Sequence, residues 1–123
     1  MRPPTFAVLA GMLLSATAPP AVRAQGLDPQ KQLAHDVFKE LIEINTTDSV
    51  GSTTRAAEAM AARLKAAGLP ESDVQVLGPN ERKGNLVARL RGTGARRPIL
   101  LLAHLDVVEA RKEDWSVDPF TLL

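Results

Sequence analysis

Residues 98–108 read Pro98-Ile99-Leu100-Leu101-Leu102-Ala103-His104-Leu105-Asp106-Val107-Val108. Five unbroken apolar residues, Ile99 to Ala103, precede the His. A strand that is apolar on both sides belongs in the middle of a sheet covered on both faces, so the run predicts a central strand of an α/β fold. Sites in open α/β sheets form at the carboxyl ends of strands, which is where His104 and Asp106 fall. Residues two apart in extended chain point the same way, so these two share a side while Leu105 points into the packing. A metal-binding His needs a partner that fixes its tautomer and ring orientation, and a carboxylate is a common one. His-x-Asp supplies such a pair, or two direct ligands. The plainer alternative is a His capping a strand end beside a solvated Asp.

Working back from this run, Asn85–Leu90 and Val74–Leu77 read as further strands, with Gly78-Pro79 and Gly92-Thr93-Gly94 as turns. Gly92-Thr93-Gly94 lacks the third glycine and following helix of a dinucleotide fingerprint and reads as a hairpin turn. Two helices precede the strands. The first is capped by Asp28 with Pro29 at its first position; Leu33, Val37, Phe38, Leu41, Ile42 and Ile44 give it an apolar face, and it closes near Asn45. The second runs from Arg55 to Ala67 behind the hydroxyl-rich loop Thr46–Thr54, with Thr53 or Thr54 as cap. Ala56, Met60, Leu64 and Ala67 form its narrow stripe, and Gly68 and Pro70 end it. Its alanines suit close packing on a sheet. Helix, helix and three strands favour a layered α/β fold over a sandwich or bundle.

The N-terminus has a different character. Arg2 precedes an apolar run from Phe6 to Ala18, 13 residues long, against the roughly 20 a membrane-spanning helix needs. Pro19-Pro20 break it, and Val22-Arg23-Ala24 places small residues at a cleavage site. Residues 1–24 are therefore expected to be a signal peptide and Gln25 the mature N-terminus. The destination is the periplasm or the exterior, with no membrane association after cleavage. Arg2 and Arg23 lie in that segment and every acid lies after it, leaving 13 basic against 14 acidic residues. A near-neutral body, whose four aromatic residues include no Tyr, argues against nucleic-acid partners. The basic stretch of Arg82-Lys83, Arg89, Arg91, Arg96 and Arg97 reads as a solvated rim. With no cysteine and only two histidines, His35 and His104, disulfides, thiol nucleophiles and cysteine-ligated zinc are excluded. His35 is expected on the wet face of the first helix. Glu109, Glu113 and Asp114 are expected to be solvated, and Asn45-Thr46-Thr47 is a formal glycosylation sequon.

The flanks of His104 add a resemblance. LLLAHLDVV over Leu100–Val108 and WSVDPF over Trp115–Phe120, with Leu41-Ile42, the AARLKAAG ending of Ala56–Gly68 and Asn85-Leu86-Val87-Ala88 upstream, stand in order across Leu27–Leu123. Together they resemble the zinc-dependent family that includes aminoacylases, acetylornithine deacetylase, succinyl-diaminopimelate desuccinylase and glutamate carboxypeptidase. The resemblance implies a zinc-exopeptidase-like, layered α/β/α fold with a mixed sheet, incomplete at the C-terminus, over residues 25–123. It implies hydrolysis of amide or peptide bonds in N-acyl amino acids or small peptides, and two Zn2+ ions at a shared site. His104 matches the first zinc ligand, and Asp106 the catalytic carboxylate that orients it. Homodimerisation of the full-length protein is one option. The family's other ligands and its general-base Glu lie beyond Leu123, after a Gly-rich segment and an Asp. This stretch alone is thus expected to be inactive, to bind zinc weakly and to aggregate. Trp115 and Phe120 are expected to pack the loop. The alternative from another class is a complete small exported α/β binding domain without catalysis.

Overall fold

A computed structural model describes residues 26–123; the expected signal peptide and the Gln25 terminus lie outside the described residues. The described residues form a mixed α/β unit of two α-helices, two short 3-10 turns and one two-stranded antiparallel sheet. Helix α1 spans Pro29–Ile42 and starts as the sequence dictates: the Asp28 carboxylate accepts from the Gln30 N–H at 2.9 Å, and Pro29 needs no partner for its nitrogen. It closes three residues short of Asn45, with Glu43 as C-cap. No α1 residue is fully buried, and Leu33 and Phe38 stay 58% and 57% exposed. Its tie to the next helix is polar: the Arg63 guanidinium bonds the Glu40 carboxylate.

Helix α2 spans Thr53–Ala66 and begins two residues earlier than Arg55. The cap is Ser52, whose hydroxyl accepts from the Arg55 N–H at 3.4 Å, and not Thr53 or Thr54. Thr54 is occupied elsewhere: its hydroxyl accepts from the Gly84 N–H at 2.7 Å. The far end follows the expected pattern. Gly68 takes φ +99, the left-handed conformation that costs glycine least. Its N–H and that of Leu69 bond the Lys65 and Leu64 carbonyls at 2.9 and 3.1 Å, closing a Schellman motif.

Strands β1 (Val74–Leu77) and β2 (Asn85–Ala88) pair with Val74 opposite Ala88 and Val76 opposite Leu86. β2 stops two residues before the expected Leu90. One face of the hairpin, carrying Val74, Val76 and Leu86, is more covered than the other, and α2 lies against both strands. The buried apolar residues are Ala56, Ala57, Ala61 and Val74. The buried stripe of α2 is thus rotated from the expected one: Met60 and Leu64 are half-buried and Ala67 is exposed. Methyl-sized side chains at 56, 57 and 61 let the helix backbone approach the pleat. A short 3-10 turn, Glu71–Asp73, leads into β1 and buries Asp73. Arg91 reaches it through two hydrogen bonds of 2.7 Å.

The expected third strand does not form. Residues 98–103 hold no ladder, and Ile99, Leu100, Leu101 and Leu102 are 87%, 84%, 89% and 90% exposed. Strand structure requires a hydrogen-bonded neighbour, and none of the described residues lies alongside this run. Gly92-Thr93-Gly94 consequently joins no two strands; the chain bends at Gly94–Arg96 with Gly94 at φ +80.

Candidate functional site

Beyond the apolar run the chain approaches the body again. Leu105 is half-buried, while His104 and Asp106 on either side face solvent, with side chains 85% and 67% exposed. The structure brings the two expected site residues together. His104 Nδ1 lies 2.9 Å from the Asp106 main-chain carbonyl and 3.4 Å from its carboxylate Oδ1. A carbonyl only accepts, so this contact calls for a proton on Nδ1, and in the neutral ring that tautomer has its lone pair on Nε2. The nearer partner is the backbone oxygen of Asp106, with the carboxylate a longer second contact.

His35 is exposed on α1, 3.3 Å from Asp36, and contributes nothing to this place. Among the described residues no group of three or more His, Asp or Glu side chains converges on a point that could hold a metal ion. The pair at 104 and 106 offers one imidazole and one carboxylate, fewer donors than a four-ligand zinc shell takes. Trp115 is half-exposed and Phe120 half-buried, after a 3-10 turn at Lys112–Asp114.

The site segment is held by residues of the hydroxyl-rich loop Thr46–Thr54. The Thr46 hydroxyl donates to the Leu105 carbonyl at 2.8 Å, and Thr46 is 3% exposed. The Ser49 N–H and hydroxyl donate to the two carboxylate oxygens of Glu109 at 2.9 and 2.8 Å. Glu109 is exposed, as expected, and its carboxylate is also engaged by Ser49.

The loop that provides these groups is built from within. Asn45 Oδ1 accepts from both the N–H and the hydroxyl of Thr47, at 2.9 and 2.8 Å. Ser52 N–H and Gly51 N–H close it onto the Asn45 and Thr47 carbonyls. A Cβ at Gly51 would sit 2.3 Å from the Thr47 nitrogen, so only glycine fits there. Arg82 donates to the Gly51 and Asp48 carbonyls, each at 2.9 Å, and Lys83 pairs with the Asp48 carboxylate, which holds that carboxyl below its usual range. Arg82 and Arg91 are exposed, as a solvated rim requires, and together with the half-buried Lys83 they also tie separate segments to one another. The sequence signal for the loop was its density of hydroxyl side chains around one glycine. Its partners 59 and 60 residues away had no signal.

No family model, curated protein or solved structure matches this chain.

Proposed function

We propose that this chain forms the first part of the catalytic domain of an exported zinc-dependent hydrolase of amide or peptide bonds, acting on N-acyl amino acids or small peptides. The observation that carries the reading is the His104–Asp106 pair: an exposed imidazole whose Nδ1 meets a main-chain acceptor, directly after an apolar run of central-strand character. That run is read as an inner strand of a layered sheet whose neighbours are supplied by residues outside 26–123. The resemblance of LLLAHLDVV and WSVDPF to the zinc family described above supports the same reading.

In this reading His104 donates Nε2 to zinc and Asp106 orients it from the Nδ1 side. Zinc, when bound, polarises the scissile carbonyl and lowers the pKa of a bound water. One imidazole with one carboxylate leaves a zinc shell unfilled, so the remaining ligands and the general base belong to further residues. The coding sequence is accordingly expected to continue past Leu123, with a Gly-rich segment and an acidic ligand.

The test is hydrolysis of a panel of N-acyl amino acids and dipeptides by the longer gene product, with and without dialysis against a chelator. Zinc-restorable hydrolysis supports the reading. In the same protein His104→Ala should leave less than about a hundredth of the activity, because loss of a direct ligand exceeds the 10–100-fold typical of an outer-shell group. Asp106→Ala should fall within that 10–100-fold range and retain more metal, since the Asp106 carbonyl remains to hold Nδ1. Full activity in His104→Ala would overturn the assignment.

A further inference from the structure

The loop between α1 and α2 meets the site segment at two points that bracket Asp106. The first is the carbonyl between His104 and Asp106, which accepts from the buried Thr46 hydroxyl at 2.8 Å. The second is Glu109, whose carboxylate is gripped by Ser49 through one N–H and one hydroxyl, at 2.9 and 2.8 Å. Between these points the segment has no helix and no ladder, so its backbone has no regular hydrogen bonds of its own to fix it. The apolar run on its N-terminal side is exposed and offers no anchor. The loop, in contrast, is tied to the body by Arg82 and locked internally by Asn45 and Thr47.

We propose that Thr46 and Ser49 are positioning residues: acting as a two-point clip, they fix the backbone that presents His104 and Asp106. Neither residue contacts the imidazole. Thr46 acts through the Leu105 carbonyl, and Ser49 acts through Glu109. The clip as a structural device stands on these hydrogen bonds; its effect on metal binding rests on the function proposed above.

The order measurement uses the metal-free 123-residue chain, in which the run Ile99–Leu102 is exposed and gives no other anchor, and the cobalt(II) titration uses the longer gene product, each with Thr46→Val, Thr46→Ser and Ser49→Ala. Valine preserves the shape of the buried Thr46 side chain and removes only the donor, and Ser49 is exposed, so both variants are compatible with folding. In the metal-free chain, backbone order parameters over residues 104–109 should fall from about 0.85 toward 0.6 or below in Thr46→Val, and less so in Ser49→Ala. Thr46→Ser should restore them. In the cobalt titration, followed by the visible spectrum of the bound ion, Thr46→Val should bind about 10–100-fold more weakly than wild type, with Thr46→Ser recovering affinity. Unchanged order parameters in both Thr46→Val and Ser49→Ala would overturn the clip, whatever the metal does. Lowered order parameters with unchanged cobalt affinity would overturn the positioning role. Lowered order parameters, with a wild-type longer product that takes up no cobalt, would uphold the clip and overturn the proposed function.

Discussion

The α2–hairpin unit and the stretch 98–108 are both rich in apolar residues, yet only the first buries them. In the hairpin unit, each strand residue finds its partner 8 to 14 positions away and α2 covers one face, so Ala56, Ala57, Ala61 and Val74 are withdrawn from water. In the second stretch the side chains from Ile99 to Leu102 are more apolar and more exposed. The difference teaches that hydrophobicity gives a demand for burial, while burial itself depends on a partner being present. The hydrogen bonds that hold this stretch and the adjoining Glu109 to the body come from Thr46, at the Leu105 carbonyl, and from Ser49, at the Glu109 carboxylate.

The largest effect expected from this contrast is at Leu101. In the longer gene product Leu101→Ala should cost about 2–5 kcal/mol, the range for a buried leucine truncated in a core. In the 123-residue chain, where Leu101 is 89% exposed, the same change should stay within about 0.5 kcal/mol. Urea midpoints of the two proteins check this, and a neutral result in both would break the central-strand reading. The shorter chain should also self-associate through this exposed run, and Leu101→Lys should suppress that association in sedimentation.

Next in size is Ala57, which is fully buried between α2 and the hairpin. Ala57→Leu should cost about 1–3 kcal/mol by overpacking, and equally in both proteins, because the partner surface is already present. Equal destabilisation measured by thermal unfolding sharpens the comparison. A neutral outcome would mean that the helix and sheet are not in close contact.

The smallest effect is electrostatic. The hydrogen bonds from Arg91 hold the Asp73 carboxyl below its usual range. A depressed pKa contributes stability that is fully present above the unfolded value of about 3.9. That contribution is lost as pH falls through the lower folded value. Arg91→Gln should therefore flatten the acid limb of a stability–pH profile below about pH 4. An unchanged acid limb would show that the pair does not couple to folding.

Local features of the fold were legible in the sequence because their causes are local. Asp28 with Pro29, Gly68 after α2, and the Val74–Leu77 strand all follow from side-chain chemistry within a few positions. The Ser52 cap was misread because Thr53 and Thr54 have the same chemistry, and only the position of Gly84 decides that Thr54 is used elsewhere. The rotation of the α2 stripe toward Ala57 and Ala61 was likewise hidden, since alanines occupy several of its faces. At the site, the pairing of His104 with Asp106 followed from two-residue spacing. The use of the Asp106 carbonyl as the nearer acceptor did not, because the side-chain pattern carries no information on where a main-chain oxygen points. Glu109, Arg82 and Arg91 are exposed as their charge implies, but charge alone does not reveal the hydroxyl, carbonyl or carboxylate that folding brings to each.

The central claim is that His104 is a zinc ligand completed by residues outside 26–123. The most direct test is zinc per chain after exhaustive dialysis, measured in parallel for the longer gene product, its His104→Ala variant and the 123-residue chain. The account predicts about two zinc ions in the first, a marked loss in the second, and little in the third. Zinc retained at full stoichiometry by the 123-residue chain, or none in the longer protein, would contradict it.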